Sequence, residues 1–412
     1  MSFLPADRRV FLFLQGPPGT AFAELGRALS ERGCEVRRIN FNGGDLASWR
    51  KGVNYRSGLS GWPRYLGRAL DAGVTDIVLF GDCRPMHRVA LDMVEARGLR
   101  AHVFEEGYLR PDWVTLEIGG VNGRSRLPRS ADWYRARAGA TPPAQTLPGL
   151  SYAFASRARH TVAYYAACTA LKPWFPFYRS HRPVHAAVET LGWLRKMALR
   201  GRAGAQTQRS LAALGERPRF LFPLQLDSDS QIRVHSRFRG MEAAIREVVA
   251  SFARYAPADA SLLVKAHPLD NGLQDWRRLT AAIAREHGAA GRMVFAEVGD
   301  IDAMVRDAIG VVTVNSTTGA LALAAGKPTK TLGGAVYDLA GLTHQGSLDS
   351  FWTAPQGPDA ELYQAFRRVL AAVCLVPGGF FAPEAVARLV DHAVPKLINA
   401  ATLAAPVPMA AE

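Results

Sequence analysis

Four polar stretches interrupt the hydrophobic texture of this chain, each directly after an apolar run: FEEGYLRPDWVTLE (residues 104–117), FPLQLDSDSQIRVHS (222–236), LLVKAHPLDNG (262–272) and VVTVNSTTGALALAAG (311–326). In open α/β sheets the reactive groups gather just past the carboxyl ends of strands, so these are the places to look for chemistry. Glu105 and Glu106 follow one such run. Adjacent in an extended chain, they point to opposite faces, so one of them can line a cleft as a general base while the other cannot. A surface pair with Arg110 is the plainer reading. In the second stretch Gln225, Asp227, Asp229 and Gln231, trailed by His235, crowd the end of a run; Asp and Ser also favour turns for backbone reasons. In the third, Lys265 and His267 sit together before Pro268, which fixes the turn, and the pair suits an anion. In the fourth, Asn315, Ser316 and Thr317 precede a small-residue helix. Hydroxyls and free amides at a helix start make a phosphate site, and the same geometry delivers N-capping.

A fifth stretch, FLFLQGPPGTAF (11–22), invites a nucleotide-triphosphate reading. A phosphate-binding loop needs G-x-x-x-x-G-K-[ST], with a lysine for the phosphates and a hydroxyl for magnesium. No lysine follows Thr20, and Glu24 stands in the next turn. The stretch reads as a strand, a tight turn through Gly16, Pro17 and Gly19, and a helix.

These residues need elements to position them. The first third of the chain alternates short apolar runs with helical patterns, from RRVFLFLQG and AFAELGRALSERG to RAHVFEEG. A second alternating block runs from RPRFLFPLQL to KPTKTLG. Such βαβα alternation implies parallel, doubly wound sheets. Between the blocks, residues 151–210 hold a single acidic residue, Glu189, among many aromatics and arginines. They read as helices broken at Pro173 and Pro176, with a polar linker at GRAGAQTQRS (201–210). The expected organisation is α/β and GT-B-like: a Rossmann-like domain at 1–146, a helical basic and aromatic insertion at 147–214, a second Rossmann-like domain at 215–375, and a C-terminal helix and tail at 376–412. With 412 residues, two core-forming domains fit a prior of roughly 150 residues each.

The net charge is +14 at pH 7, which favours anionic partners: phosphorylated substrates, an acidic membrane surface or nucleic acid. The basic residues cluster with aromatics in one segment and no nucleic-acid motif stands out, so nucleic acid is the weakest of these. Cys34, Cys83, Cys168 and Cys374 are scattered, with neither metal-type spacing nor a disulfide framework, which fits a reducing compartment. The N-terminus lacks a cleavable signal pattern, and no stretch reaches the roughly 18 uninterrupted apolar residues of a membrane span. The expected location is cytoplasmic.

Taken in order, FLQGPPGTAFAELG, INFNGGD, FEEGYLRPDWVTLE, GGVNG, PLQLDSDSQI, HPLD, VNSTTGALAL and YDLAGLTHQGSLDSFW resemble the capsular polysaccharide proteins of the KpsS/LipB type, which are Kdo transferases. The likeness runs over most of the chain, and the ensemble is specific where the short HP and NST elements are not. It implies transfer of a β-Kdo residue from CMP-Kdo, with retention, onto a phosphatidylglycerol-type lipid that anchors a capsule, on the inner face of the inner membrane and near other capsule assembly and export proteins. It implies no metal and no cofactor beyond the CMP-Kdo substrate. The donor would lie on Gln225, Gln231, Lys265, His267, Pro268, Asn315, Ser316 and Thr317, and the acceptor side would be formed by Gly16, Pro17, Gly19 and Asn42. Retention can proceed by two displacements, which asks for a carboxylate nucleophile. Asp229 is the choice, Asp227 the runner-up on the same extended face, and Glu106, with Glu105 beside it, the acid/base group across the cleft. The segment 152–202 would dock on anionic lipid through Trp174, Phe175, Phe177 and Trp193, with Arg157, Arg159, Lys172, Arg179, Arg195 and Lys196 at the headgroups. The rival reading is a non-catalytic export or assembly component that binds lipid-linked glycan.

Overall fold

The computed structural model describes residues 9–109, 112–143, 149–150, 154–179, 186–227 and 229–400. Its strands are β1 (Val10–Phe13), β2 (Glu35–Asn40), β3 (Val53–Asn54), β4 (Asp76–Phe80), β5 (Arg100–Glu106), β6 (Trp113–Ile118), β7 (Arg219–Pro223), β8 (Ser261–Lys265), β9 (Met293–Ala296), β10 (Gly310–Thr313), β11 (Thr329–Thr331) and β12 (Leu375–Pro377). Two compact units form. The first gathers Met1–Arg126, Pro143–His181 and Leu370–Glu412; the second gathers Leu127–Pro142 and Arg182–Val369.

The first unit carries one sheet in the order β12-β6-β5-β4-β1-β2-β3. Strands β1 to β5 are parallel. A parallel strand is covered on both faces and so reads as a continuous apolar run, which is why VFLF was legible. Phe11 and Phe13 enter one core with the helices Ala21–Glu31 and Pro383–Ile398, while Val10, Leu12 and Leu14 enter the other with Trp62–Asp71 and Pro85–Ala96. The edge differs from the all-parallel expectation: β6 returns antiparallel on β5, and β12 lies antiparallel on β6. The few residues between β5 and β6 are too short for the crossover that a parallel partner needs.

The second unit carries the order β11-β10-β7-β8-β9, all parallel. Phe220, Phe222, Leu262 and Val264 face the helices Met241–Tyr255 and Trp276–Glu286; Leu221, Leu263 and Val311 face Ile301–Asp307. The expected fold class, α/β with two Rossmann-like halves, is the one observed.

The division of the chain departs from four consecutive stretches. The C-terminal helix belongs to the first unit, because its apolar face (Val386, Leu389, Val390, Ala393, Val394) completes that unit's core. Arg9 fixes its end. The guanidinium donates to Ile398 O (2.6 Å) and Leu397 O (3.1 Å) and also to the carboxylate of Asp76, which is fully buried. Burial alone would raise the Asp76 carboxyl, but hydrogen bonds from His102, Arg9 and Arg100 outweigh it and hold it well below the usual range. The expected insertion is likewise shared: the helix Phe154–Ala170 belongs to the first unit and Ala186–Leu214 to the second. The helix Phe154–Ala170 is seated on NFNGGD, where a Cβ built at Gly43 would lie 2.2 Å from Ala167 O. The linker expected at 201–210 is helix throughout. A glycine inside a helix costs only about 1 kcal/mol, and here Thr207 ties the helix to the residue after β9 by accepting from Glu297 N (3.3 Å).

The GGVNG turn after β6 is tied to a buried carboxyl. Glu117 accepts from Tyr108 OH and Ser125 Oγ, both at 2.5 Å, and Asn122 N donates to Tyr108 OH (2.6 Å). Burial, aided by the Asp82 charge, pushes the Glu117 carboxyl up to about 7 against two hydrogen bonds that oppose it. The folded chain therefore holds this proton more tightly than the unfolded chain does. Its contribution to stability is complete below the ordinary value of 4.5 and is lost as pH rises through about 7. Glu117→Gln should flatten that part of the stability profile: melting temperature followed from about pH 5 to about pH 8 should fall less in the variant than in the wild type. Parallel profiles would refute the assignment.

Candidate functional site

The strand order of the second unit reverses between β7 and β10, and the crevice beyond the carboxyl ends at such a point is where open α/β sheets bind ligands. Gln225 leaves β7 and Asn315 leaves β10. Gln225 Nε2 donates to Asn315 Oδ1 (2.9 Å), Asn315 N donates to Gln225 Oε1 (3.2 Å), and Asn315 Nδ2 donates to His235 O (3.3 Å). Both side chains are buried. Next to this clasp, Ser316 N-caps the helix Thr317–Ala324 by accepting from Thr318 N (3.2 Å). Tyr337, fully buried in its ring, donates to Ser316 O (2.5 Å), and burial raises its phenol well above the ordinary value. Gly319 is required here, since a Cβ would meet the Tyr337 hydroxyl at 2.2 Å. Capping and an anion site are compatible, because Thr317 remains exposed at the helix start.

Strand β8 lies on the other side of β7, so its end flanks the same crevice. His267 is half-buried there and Pro268 is exposed. His267 Nδ1 accepts from Leu269 N (3.1 Å), which assigns the proton of the neutral ring to Nε2. Lys265 is buried, and its ammonium donates to Ala266 O (2.8 Å) and Glu297 O (3.4 Å); burial, with Lys196 nearby, lowers it to about 8.

The aspartates are not disposed as expected. Asp229 N donates to Leu226 O (2.9 Å), closing a turn, so Asp227 and Asp229 share no strand face. Asp227 serves the loop. Its carboxylate accepts from Met241 N (2.8 Å) and Arg233 (3.1 Å). Asp229, partly exposed, opens the short helix Ser230–Arg233, its carbonyl accepting from Ile232 N (3.1 Å). Ser228 and the side chain of Gln231 lie outside the described residues.

In the first unit the expected acceptor-side residues are mainly packing residues. Gly16 sits against Phe22, Pro17 is buried, and Gly19 adopts φ +108° beside His160. Asn42 is buried, caps the helix Gly43–Ser48 by accepting from Asp45 N (2.9 Å), and donates to Tyr164 OH (3.0 Å). Tyr164 OH also accepts from Gln15 (2.7 Å) and donates to Asp45 (2.8 Å). Its oxygen is thereby saturated. At the end of β5, Glu105 Oε1 accepts from Glu106 N (2.9 Å), and Glu106 pairs with Arg157 at 3.1 Å. The partner weighed from sequence, Arg110, lies outside the described residues.

Three residues assigned to the membrane are placed elsewhere. Phe175 is only 2% exposed. Arg157 pairs with Glu106 and lies over the Phe381 ring. Lys196 donates to Asp270 O (2.7 Å) and Pro268 O (3.3 Å). Trp174 and Phe177 are exposed, at 49% and 61%, with Arg56 over the Trp174 ring at 4.2 Å. Arg159, Lys172, Arg179 and Arg195 are exposed, and the Trp193 side chain lies outside the described residues. No described helix is long and apolar enough to cross a membrane.

Lys196 is the residue that the sequence reading missed at this site. It clamps the turn that follows His267, together with Gly192, where a Cβ would lie 2.3 Å from Asn271 O. Removing a charged hydrogen bond costs about 1.5–3 kcal/mol. Lys196→Met should therefore speed amide hydrogen exchange at Leu269 and Gly272 by roughly tenfold or more, with exchange in β8 unchanged. Unchanged exchange in the turn would contradict the clamp.

The capsule polysaccharide biosynthesis protein family model matches residues 75–381. The capsule polysaccharide export protein KpsS of Escherichia coli is 37% identical over 369 residues, covering 87% of this chain and 94% of that one. The capsule polysaccharide modification protein LipB of Neisseria meningitidis serogroup B is 32% identical over 385 residues, covering 90% and 91%. Among solved structures, the Thermosulfurimonas dismutans KpsC β-Kdo 2,7 transferase aligns over 93% of this chain and 99% of its own, at 11% identity and a TM-score of 0.43. The family model spans well over half of the chain and the first two relatives nearly all of it: this protein belongs to the capsule polysaccharide biosynthesis family.

Proposed function

We propose that the chain is a retaining β-Kdo transferase that moves Kdo from CMP-Kdo onto a phosphatidylglycerol-type lipid. The observation that carries the reading is the crevice at the strand-order reversal of the second unit. There an amide clasp, a capped helix start and a histidine with Nε2 protonated converge on the strand ends of a capsule-family protein. Such a crevice suits a phosphate: the helix start supplies a favourable dipole and the exposed Thr317, and His267 Nε2 supplies a further donor. Lys265 adds positive charge behind the loop.

Of the two carboxylates weighed as nucleophile, Asp229 remains the choice. Asp227 holds the loop by accepting from Met241 N and Arg233, so its removal would disturb the loop itself. Glu106 serves as the acid/base group, with Arg157 holding its orientation. In the first displacement the Asp229 carboxylate attacks the anomeric carbon of Kdo and CMP departs with the bonding electron pair. In the second, the acceptor hydroxyl attacks the same carbon, its proton passes to Glu106, and the Asp229 carboxylate is released. The exposed cations Arg159, Lys172 and Arg179, with Trp174 and Phe177, would hold the first unit near anionic headgroups, at about 1 kcal/mol per cation.

His267→Ala should weaken CMP binding about tenfold to a hundredfold by calorimetry. Asp229→Asn should fold, bind CMP normally and transfer no sugar. The wild type incubated with donor alone should show a Kdo adduct on Asp229 by intact mass and peptide mapping. Full transfer in Asp229→Asn would refute the nucleophile, and binding of CMP-Kdo and lipid-linked glycan without any turnover would favour the export-component reading instead. For the membrane, flotation should recover more protein with anionic than with neutral vesicles, and salt should abolish the difference; equal recovery would remove that part of the account.

A further inference from the structure

A cavity lies in the second unit, past the end of β11. It encloses 720 Å³. Pockets of about 300–1,000 Å³ take small molecules, and most of them are apolar. This one is not. Its charged lining is Arg129, Arg237, Lys330, Glu247, Asp338 and Asp349, and its apolar side chains are Leu332 and Leu348. A void left by imperfect core packing would be lined by the core.

The charges are not evenly matched. Arg237 pairs with Glu247. Asp349 accepts from Ser251 Oγ (2.6 Å), which in turn accepts from Trp352 Nε1 (2.7 Å). Asp338 accepts from Thr343 Oγ1 (2.7 Å). Lys330 and Arg129 differ, since their hydrogen bonds go to main-chain carbonyls: Lys330 to Gly346 O (2.6 Å) and His344 O (3.2 Å), Arg129 to Ala335 O and Asp338 O (both 3.1 Å). Among the described residues neither forms an ion pair. Burial lowers the Lys330 ammonium, and the nearby Asp338 charge acts against that shift.

The lining therefore offers two cations whose hydrogen bonds go to main-chain carbonyls, together with carboxylates and the Ser347 hydroxyl. That combination matches a ligand with one anionic group and several hydroxyls, which both donate and accept. A nucleotide fits less well, because a base needs a flat apolar or aromatic wall and two leucines do not make one. We propose that this cavity binds an anionic sugar unit of a glycan, its negative group on Lys330 and Arg129 and its hydroxyls on Asp349 and Glu247. The proposal rests on the cavity and on family membership, and stands apart from the transfer chemistry at the β7/β10 crevice. The two places are nevertheless joined through the chain: Gly334, on the cavity wall, donates to His235 O (2.8 Å), the same carbonyl that Asn315 engages.

The test uses the full chain with glucuronic acid, glucose 6-phosphate, glucose and CMP as probes, read by ligand-observed NMR titration. The expected result is binding of at least one acidic sugar at millimolar concentration, with glucose at least tenfold weaker. A preference for glucuronic acid assigns a carboxylate as the anionic group, and a preference for glucose 6-phosphate assigns a phosphate. Lys330→Met and Arg129→Gln should each weaken the acidic sugar about tenfold while leaving CMP binding unchanged, and His267→Ala should leave the acidic sugar unchanged. Arg129 is exposed, so its variant decides the matter if Lys330→Met does not fold. The proposal is overturned if glucose binds as well as the acids, if no acidic sugar binds, if the Arg129 variant is indifferent, or if His267→Ala abolishes acidic-sugar binding, which would move the ligand to the crevice.

Discussion

The buried clasp between Gln225 and Asn315 is the interaction on which the candidate site depends. At the reversal of a doubly wound sheet, two neighbouring strands send their chains to opposite faces, and the polar groups at the split lose their strand partners. Here two side-chain amides take up that role, each serving as donor or acceptor as required. A carboxylate in either place would remove donors and leave buried groups unpaired, at about 1–3 kcal/mol each. The clasp also reaches His235 O, and Gly334 N meets that same carbonyl from the far side. One pair of amides thus ties the end of β7, the end of β10 and the 235 loop, to which Gly334 N joins the turn after β11.

The first unit solves a related problem differently. The loops after β1 and β2 meet at Tyr164 OH, where Gln15, Asn42 and Asp45 converge, and Arg38 is buried beside them, donating to Leu14 O and to Asn40 Oδ1 (3.0 Å). The tyrosine comes from a helix whose composition suggests a membrane-facing segment. Its polar partners show that one face of that helix is a structural wall for the loops, which leaves only the opposite face available for other work. Gly43 and Gly44 are needed because the helix approaches so closely.

Local signals carried the reading of the fold wherever burial imposed a local pattern. VFLF, DIVLF and SLLVK are buried on both faces and announce themselves as strands. The antiparallel pair β6 and β12 did not, because a strand at Leu375 is recognised only by its partner at Thr115, more than 250 residues away. The helix Ala186–Leu214 reads as divided by a linker because Gly and Gln suggest one, whereas Thr207 ties it to Glu297. The site shows the same boundary. Gln225, His267, Asn315 and Ser316 were legible as polar residues at the ends of apolar runs. Lys196 and Arg157 reach their partners across 74 and 51 positions of sequence, respectively, and nothing near them in the chain signals it. Asp227 was legible as a reactive carboxylate, although its geometry is that of a loop tie.

The central claim is that a nucleotide phosphate sits at the β7/β10 reversal of the second unit. A crystal structure with CMP tests it most directly. The account predicts the phosphate at the start of the helix Thr317–Ala324, within hydrogen-bond reach of the Ser316 or Thr317 hydroxyl and of His267 Nε2, with the Gln225–Asn315 clasp intact. CMP bound in the first unit, or in the second unit away from that helix start, would contradict it.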